Sequence, residues 1–218
     1  MSAFSMNFRG FLCVSFGIAS AIAQSGPAAN DRATENVAVE DGVISFSVST
    51  NVPAIEVHGK STALAAHVLL RRDGDSLKLE RVEASLPVKT LETGMAMRDE
   101  HMRKYIFTTP SGDVPDLRFE SGTATCPGVA PGHEGTCKIA GQLTIRGVSR
   151  AFSMLLKVRQ EGSSATFHVS GDSVVRLSDY GIPVPSQLGV KTANEVQVHL
   201  RLSGKETSAV LAAAEGRR

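Results

Sequence analysis

GQLTIRGVSRAFSMLLKVR, residues 141–159, is the stretch that decides the fold. On both sides of Gly147 every second residue is apolar, and these residues are Leu143, Ile145, Phe152, Met154, Leu156 and Val158. A period of two is that of a β-strand with one face in a core and the other in water. We expect a turn at Gly147 and Val148, and strands joined by so short a turn pair antiparallel. The stretch therefore predicts a β-hairpin.

The same period recurs in four other segments, 43–48, 82–91, 166–177 and 196–202. The residues on their apolar faces are Ile44, Phe46, Val48, Val82, Ala84, Leu86, Val88, Phe167, Val169, Val175, Leu177, Val196, Val198 and Leu200. Turn signals separate the segments, while Pro87 suggests a sheet edge or a bulge. An antiparallel sheet of about seven to nine strands has unpaired edges, which closure removes. The sequence therefore predicts an all-β fold, a single antiparallel barrel.

Residues 94–107, GMAMRDEHMRKYIF, have a helical period instead. Met95, Met102, Tyr105 and Ile106 fall on one stripe, and Thr93 is placed to cap the first turn. We expect one short helix that lies across one end of the barrel.

The composition excludes some classes of protein. The chain has 218 residues, with 23 basic and 22 acidic side chains, a formal net charge of +1 and 42% hydrophobic residues, which is typical of a globular domain. Because there is no excess of positive charge to bind nucleic acid by counterion release, no nucleic-acid partner is predicted. Beyond the N-terminus no segment approaches eighteen consecutive apolar residues, so no stable membrane insertion is predicted.

The N-terminus has the pattern of an export signal. Arg9 precedes the apolar run GFLCVSFGIASAIA (10–23), which ends in Ala21-Ile22-Ala23. We predict a signal peptide at 1–23, cleavage after Ala23, and a mature protein in the periplasm or secreted. Residues 24–35 and 205–218 have no strand period, and both are predicted to be flexible segments around a domain at 36–204.

Cys126 and Cys137 remain after the leader is removed. An even number of cysteines in an exported chain favours a disulfide. The segment between them, PGVAPGHEGT (127–136), is rich in Gly and Pro and can bring the flanking strands within bridging distance. The alternative is a metal site with His133 and Glu134, although neither a Cys-x-x-Cys pair nor a second His at ligand spacing is present.

Five segments together resemble the YceI-like family in order and spacing. They are TLETG (90–94), MRDEHMR (97–103) with Phe107, PDLRFES (115–121), GQLTIRGVSR (141–150), and LSDYGIP (177–183) running on to NEV (194–196). The resemblance covers residues 36 to 204. It implies an extended, eight-stranded, lipocalin-like antiparallel barrel whose apolar interior holds a polyisoprenoid or another long-chain amphiphile, without enzymatic activity.

From the residues alone, the barrel is either filled by side chains or hollow, because eight strands is the size at which both occur. Small inward residues such as Ala84 and the adaptable side chains of Met95, Met97, Met102 and Met154 favour a cavity, and the resemblance favours it further. The predicted lining consists of the alternating apolar residues named above, except Val158, together with Met102, Phe107 and Phe119.

Three cationic groups cluster on the predicted helix at one end of the barrel. Arg98, His101 and Arg103 are candidates to bind the polar head of a ligand. Their alternative role is structural, since Arg98 can fix the helix by bonding to nearby backbone and His101 can cover the barrel end.

The residues and the resemblance together predict a lipid-binding protein for carriage or storage, and the resemblance implies a polyisoprenoid or fatty-acid-like lipid as the ligand, with no cofactor. No G-x-S-x-G elbow is present, and Asp99, Glu100 and His101 would fan out by about 100° each on a helix and so cannot converge on a metal. No catalytic residue is predicted. The alternative is a non-catalytic interaction or structural module with a filled barrel. An exposed edge near the first strand (37–48) would permit pairing into a homodimer.

Overall fold

The computed structural model describes residues 34–207. The predicted signal peptide, residues 24–33 and residues 208–218 lie outside the described part. The strands are β1 (Glu35–Ser49), β2 (Glu56–Ser61), β3 (Ala65–Asp73), β4 (Ser76–Leu86), β5 (Leu117–Ser121), β6 (Ala124–Cys126), β7 (Glu134–Ile145), β8 (Val148–Gln160), β9 (Thr166–Arg176), β10 (Ser186–Gln187), β11 (Val190–Lys191) and β12 (Glu195–Thr207). The helix α1 (Ala96–Met102) continues into a π-helical turn (Arg103–Phe107), and 3₁₀ turns span Val88–Thr90 and Leu177–Tyr180.

The sheet closes on itself. The hydrogen-bonded order runs β12-β9-β8-β7-β5-β4-β3-β1, and β1 pairs again with β12 from Asn36 opposite Thr207 to Ser47 opposite Gln197. β2 pairs with the C-terminal half of β1, and β6 continues the position of β5 beside β4. The prediction of a closed, antiparallel, eight-stranded barrel with one short helix is confirmed for the described residues.

The barrel has two distinct ends. At the floor end β1 begins and β12 finishes, and at the mouth end β1 finishes at Ser49 and β12 begins at Glu195. α1, the π-helical turn and the β10–β11 hairpin belong to the mouth end, and the disulfide belongs to the floor end. Within residues 34–207 no helix is both long and apolar enough to span a membrane.

Alternation places the apolar residues inside, as predicted, but two bulges change its phase. β1 has an extra residue at Glu40, between the pairs Val39–Gly204 and Asp41–Ser203. β4 has one at Glu80, between the pairs Arg81–Leu69 and Leu79–Leu70. Each bulge moves the inward positions by one residue along its strand.

Three boundaries differ from the predictions. β4 ends at Leu86, because Pro87 has no N–H for the ladder and starts a 3₁₀ turn. The hairpin turn is Arg146-Gly147, both with positive φ, and Val148 already pairs with Ile145. β12 continues to Thr207, so residues 205–207 of the predicted tail belong to the sheet.

The predicted exposed edge at 37–48 is wrong. β1 pairs with β12 on one side, and on the other with β3 at residues 35–38 and with β2 at residues 44–49. The exposed strand edge on which the homodimer prediction rests is therefore absent from the described residues.

The floor is sealed by the predicted disulfide and by the loop that it closes. Cys126 and Cys137 are bonded across a Cα–Cα distance of 4.6 Å. Val129, from the loop between them, is 1% exposed, and the backbone N–H of Gly132 donates to the carbonyl of Gln160 at 3.1 Å. The loop thus folds across the end of the barrel.

At the mouth, the turn before α1 is held by the helix itself. The buried carboxylate of Asp99 accepts hydrogen bonds from the backbone N–H and the hydroxyl of Thr93, at 2.7 and 2.5 Å. The N-cap residue is Met95, which makes no side-chain cap, so the predicted capping by Thr93 is wrong. Thr93 instead anchors the turn through its bonds to Asp99 and Arg98.

Candidate functional site: an apolar cavity in the barrel

The barrel is hollow. Its interior holds a cavity of about 1190 Å³, lined by residues of every barrel strand except the short β6. Pockets for drug-sized ligands measure about 300–1,000 Å³, so this volume suits a longer molecule. The filled barrel of the alternative interpretation is not observed.

The lining changes in polarity along the barrel axis. Toward the floor it consists of apolar residues such as Leu70, Leu77, Val158 and Phe167, each less than a tenth exposed. Its polar side chains all come from the mouth end, and they are Thr50, Ser85, Thr93, Arg98, His101, Tyr105, Arg118, Ser186, Gln187 and Thr192. The cavity therefore has an apolar interior and a polar entrance.

Twenty-one of the twenty-two residues predicted to line the cavity do so in the structure. The exception is Val88, whose prediction is wrong. The apolar alternation runs through Pro87 to Val88, but the chain leaves the sheet at Pro87, and Val88 is buried in the 3₁₀ turn and does not line the cavity.

The three candidate head-group residues have different positions. His101 lines the cavity, with its ring edge-on to that of Tyr105 at a centroid distance of 5.7 Å. Arg98 also reaches the lining, but its Nε and Nη2 both donate to Thr93, each at 2.8 Å. Arg103 does not line the cavity, and its Nη1 donates to the carbonyl of Leu91 at 3.3 Å. Arg103 therefore acts as a brace between the π-helical turn and Leu91.

Thr192 at the mouth has an unusual hydroxyl. Its Oγ1 is buried and has no hydrogen-bond partner among the described residues, although the residue lines the cavity. A buried hydroxyl that lacks a partner costs free energy, and a polar group of a ligand can supply one.

The tyrosine beside the mouth is held in its neutral form. Tyr180 is 4% exposed and packs with Ile145, Val175, Leu177 and Ile182. Burial, and to a smaller extent the Asp179 carboxylate, raise the pKa of its phenol above the ordinary value, against a smaller opposing effect of Arg150. Tyr180 thus packs as a neutral side chain.

Several lining residues were missed from the sequence. β3 contributes Ala66, Val68 and Leu70, and the loop after β9 contributes the stretch 182–188. Leu77 and Leu79 do alternate, and this signal would have identified the start of β4 if the change of phase at Glu80 had been recognised. The 182–188 stretch has no period and therefore carries no comparable signal.

The other histidines are exposed on the outside of the barrel. His199 pairs with Asp172 and His168 lies near Glu161, all of them exposed. Within residues 34–207 no three His, Cys, Asp or Glu side chains are grouped so that they could hold a metal ion. The cysteines of the alternative metal site form the disulfide instead.

Comparison with known proteins identifies the family. The model of the YceI-like domain matches residues 36–203. Among solved structures, the chain is similar to a polyisoprenoid binding domain from Saccharophagus degradans, with a TM-score of 0.57 and 14% identity over 78% of this chain and 98% of the other. It is also similar to Burkholderia cenocepacia BcnA, with a TM-score of 0.57 and 20% identity over 74% and 95% of the two chains.

A third solved structure, the Campylobacter jejuni YCEI protein, has a TM-score of 0.52 and 17% identity, over 69% of this chain and 85% of the other. No curated protein gives a significant match. At these identities the structural likeness concerns the fold, while the family model matches most of the sequence. The chain belongs to the YceI-like family.

Proposed function

We propose that this protein binds a polyisoprenoid or another long-chain amphiphile in its barrel, with the tail toward the floor and the head group at the mouth, and carries or stores it outside the cytoplasm. The observation that supports this most directly is the polarity of the lining. Its polar side chains are confined to the mouth, and the floor half is apolar. An amphiphile, which has a polar head and an apolar tail, is the class of ligand whose polarity is divided in the same way.

Burial of an apolar tail is sufficient for useful affinity. About ten methylene groups at about 0.8 kcal/mol each provide roughly 8 kcal/mol, which corresponds to about micromolar binding before ordering costs. The lining requires no charged clamp for this, and the polyisoprenoid binding domain of similar fold supports the choice of ligand class.

For the head group we propose contacts with His101 and with the hydroxyl of Thr192. Both line the mouth, and the Thr192 hydroxyl has no other partner among the described residues. Arg98 contributes positive charge from a fixed position, since Thr93 holds its guanidinium. The role is binding without catalysis.

Two features of the chain support a proposed site of action. Residues 1–23 have the pattern of an export signal, and a disulfide such as Cys126–Cys137 persists in an oxidising compartment. We therefore propose that the mature protein acts in the periplasm or outside the cell.

Mass spectrometry of an organic extract of the purified protein tests the proposal. The expected result is an amphiphile present at close to one equivalent. Protein that is empty when purified is then titrated with a long-chain fluorescent alcohol below its micelle concentration. The proposal is wrong if the extract contains no lipid and the folded protein does not bind the probe.

A matched pair of variants locates the bound molecule. Ala84 lines the cavity, so Ala84→Phe fills part of it and should weaken probe binding at least about tenfold. Val174→Phe adds a large side chain at an exposed position on the outer wall and should bind as wild type does. Equal affinities of Ala84→Phe and wild type would place the probe outside the barrel.

A further inference from the structure

Large exposed apolar residues are concentrated around the mouth. Within residues 34–207, nine large hydrophobic side chains are exposed, and five of them also line the cavity entrance: Ile55, Met95, Met97, Tyr105 and Leu188. They come from three separate segments, namely the turn before β2, the region of α1 and the tip of the β10–β11 hairpin. Together we call them the apolar rim.

Leu188 is the most unusual member of the rim. It is 97% exposed, and its φ of 52° is in the left-handed region, followed by Gly189 at 83°. A two-residue turn of this kind favours Asn-Gly, because Asn tolerates positive φ and is polar. Leucine is disfavoured there by both conformation and exposure, and it gains almost no packing within the chain. A strained backbone and an exposed apolar side chain at the same residue indicate that Leu188 has a role other than stabilising the fold.

The hairpin is held so that it presents this tip. Asn51 donates from its backbone N–H to the carbonyl of Lys191 at 2.8 Å and from Nδ2 to the carbonyl of Gly189 at 3.1 Å. Its Oδ1 accepts from the backbone N–H of Lys191 at 2.7 Å. Leu188 therefore projects from a braced turn.

We propose that the apolar rim docks the mouth of the barrel on the surface of a lipid bilayer, so that an amphiphile passes between membrane and cavity without crossing water. The purpose of this docking rests on the proposed function, since the rim is continuous with the lining that would receive the lipid.

The composition of the rim favours a bilayer as its occupant. Tyrosine with a neighbouring lysine is typical of the membrane interface, where the ring is buried to headgroup depth and the ammonium stays in water. Lys104 lies 5.3 Å from the centre of the Tyr105 ring, and Lys191 flanks the hairpin tip. Five side chains form a small footprint, so the docking is reversible.

The experiment compares two double variants in flotation with phosphatidylcholine vesicles. Leu188→Asn with Met97→Gln removes two rim side chains, and both replacements suit the local backbone. Leu155→Thr with Val174→Thr removes two exposed apolar side chains from the outer wall. We expect the rim variant to partition to vesicles at least about tenfold less than wild type, and the wall variant to behave as wild type does.

Transfer of a fluorescent long-chain alcohol between vesicles provides the second readout. The rate should rise with the concentration of acceptor vesicles and be lower for the rim variant. Absence of wild-type flotation, or equal flotation of the rim variant and wild type, would overturn the docking proposal. Concentration-dependent dimerisation of wild type that the rim variant abolishes would also overturn it, by assigning the rim to a second copy.

Failure of the two proposals is distinguishable. Binding of the alcohol by the wild type in solution, without vesicles, tests the cavity alone. Binding by the wild type without flotation overturns docking and leaves the carrier intact, whereas flotation without binding overturns the carrier.

Discussion

The barrel wall has two seams at which neighbouring strands are not paired, and they are sealed in different ways. At the floor, no ladder joins β6 to β7 in the described residues, and the disulfide between Cys126 and Cys137 bridges them. At the mouth, the β8–β9 ladder stops at Leu155 and Asp172. There Ser173 donates its hydroxyl to the carbonyl of Ser153 at 2.7 Å, and Tyr180 and Ile182 pack beside the gap.

The two ends of the barrel therefore differ in how firmly their seams are closed. A covalent bond and a folded loop close the floor, whereas the mouth seam is held only by a hydrogen bond and side-chain packing, which are easier to break. The proposed carrier, which would load and release through the mouth, would use this asymmetry. Variants that open each seam separately test it.

The largest loss of stability is expected from opening the floor seam. Cys126→Ala with Cys137→Ala removes a cross-link between residues 11 apart, and the free energy of unfolding should fall by about 3 kcal/mol. Urea unfolding measures this. Probe affinity of the folded protein should be nearly unchanged, because the proposed head-group contacts lie at the other end. A loss below about 1 kcal/mol would mean that Val129 and the Gly132–Gln160 hydrogen bond hold the loop without the disulfide.

The second-largest loss of stability is expected in the loop that covers the floor. A Cβ at Gly135 would collide with the carbonyl oxygen of Pro127 and lie 2.5 Å from Cγ2 of Val129. Gly135→Ala should therefore lower the free energy of unfolding by about 2 kcal/mol through overpacking. Gly122→Ala is the control, since a Cβ there meets open space and should change stability by less than about 0.5 kcal/mol. Equal stabilities of the two variants would show that the loop is not tightly packed on β7.

A smaller loss is expected at the mouth seam. Ser173→Ala removes the hydrogen bond to Ser153 and should cost about 1 kcal/mol, because the carbonyl loses this partner. Probe dissociation, followed by stopped-flow fluorescence, should become faster. Ser170→Ala on the same strand is the control, because its hydroxyl forms no hydrogen bond within residues 34–207. Unchanged dissociation in Ser173→Ala would mean that the probe leaves by a route other than this seam.

The sequence predicted the barrel because most strands have one apolar and one polar face. The hairpin at 141–159 needed only its period and the glycine in its turn, and the structure confirms it. The first part of β4 was missed because the bulge at Glu80 changes the phase of the apolar residues. In β3 the inward residues Ala66, Val68 and Leu70 do alternate, so the bulge does not explain why that strand was missed. A bulge is set by pairing with a strand that is distant or not yet recognised, so periodicity within one segment does not reveal it.

The site was predictable in its lining and less so at its mouth. Inward positions follow from strand alternation, which the sequence contains. The β10–β11 hairpin is positioned by Asn51, 138 residues before Gly189, and no local pattern encodes that contact. Arg98 illustrates the same limit, because sequence shows a cation at the barrel end but not that Thr93 accepts two of its hydrogen bonds.

The smallest change in stability is expected at the floor end of the β1–β12 ladder, where the two strands are paired and the wall has no seam. Near the floor, burial first and then the Glu206 carboxyl raise the pKa of Glu35 above its ordinary value of 4.5, against a smaller opposing effect of Arg72. Arg72 is bound to Glu206 at 3.2 Å, while Oε2 of Glu35 is buried without a hydrogen-bond partner. A raised pKa means that the folded state binds the proton more tightly than the unfolded state does. Glu35 therefore stabilises the fold below its unfolded pKa and loses this contribution as pH rises through the folded value.

Glu35→Gln keeps the shape of the protonated side chain at every pH. The variant should match wild type in acid, below the unfolded pKa of Glu35, and become slightly more stable than wild type at neutral pH. Urea unfolding across this range measures the difference, with the exposed Glu40→Gln as a control that should follow wild type throughout. A Glu35→Gln variant less stable than wild type at neutral pH would show that attraction to Arg72 outweighs burial. The end of the β1–β12 ladder would then be an ion-pair latch, and the floor would be sealed by charge as well as by the disulfide.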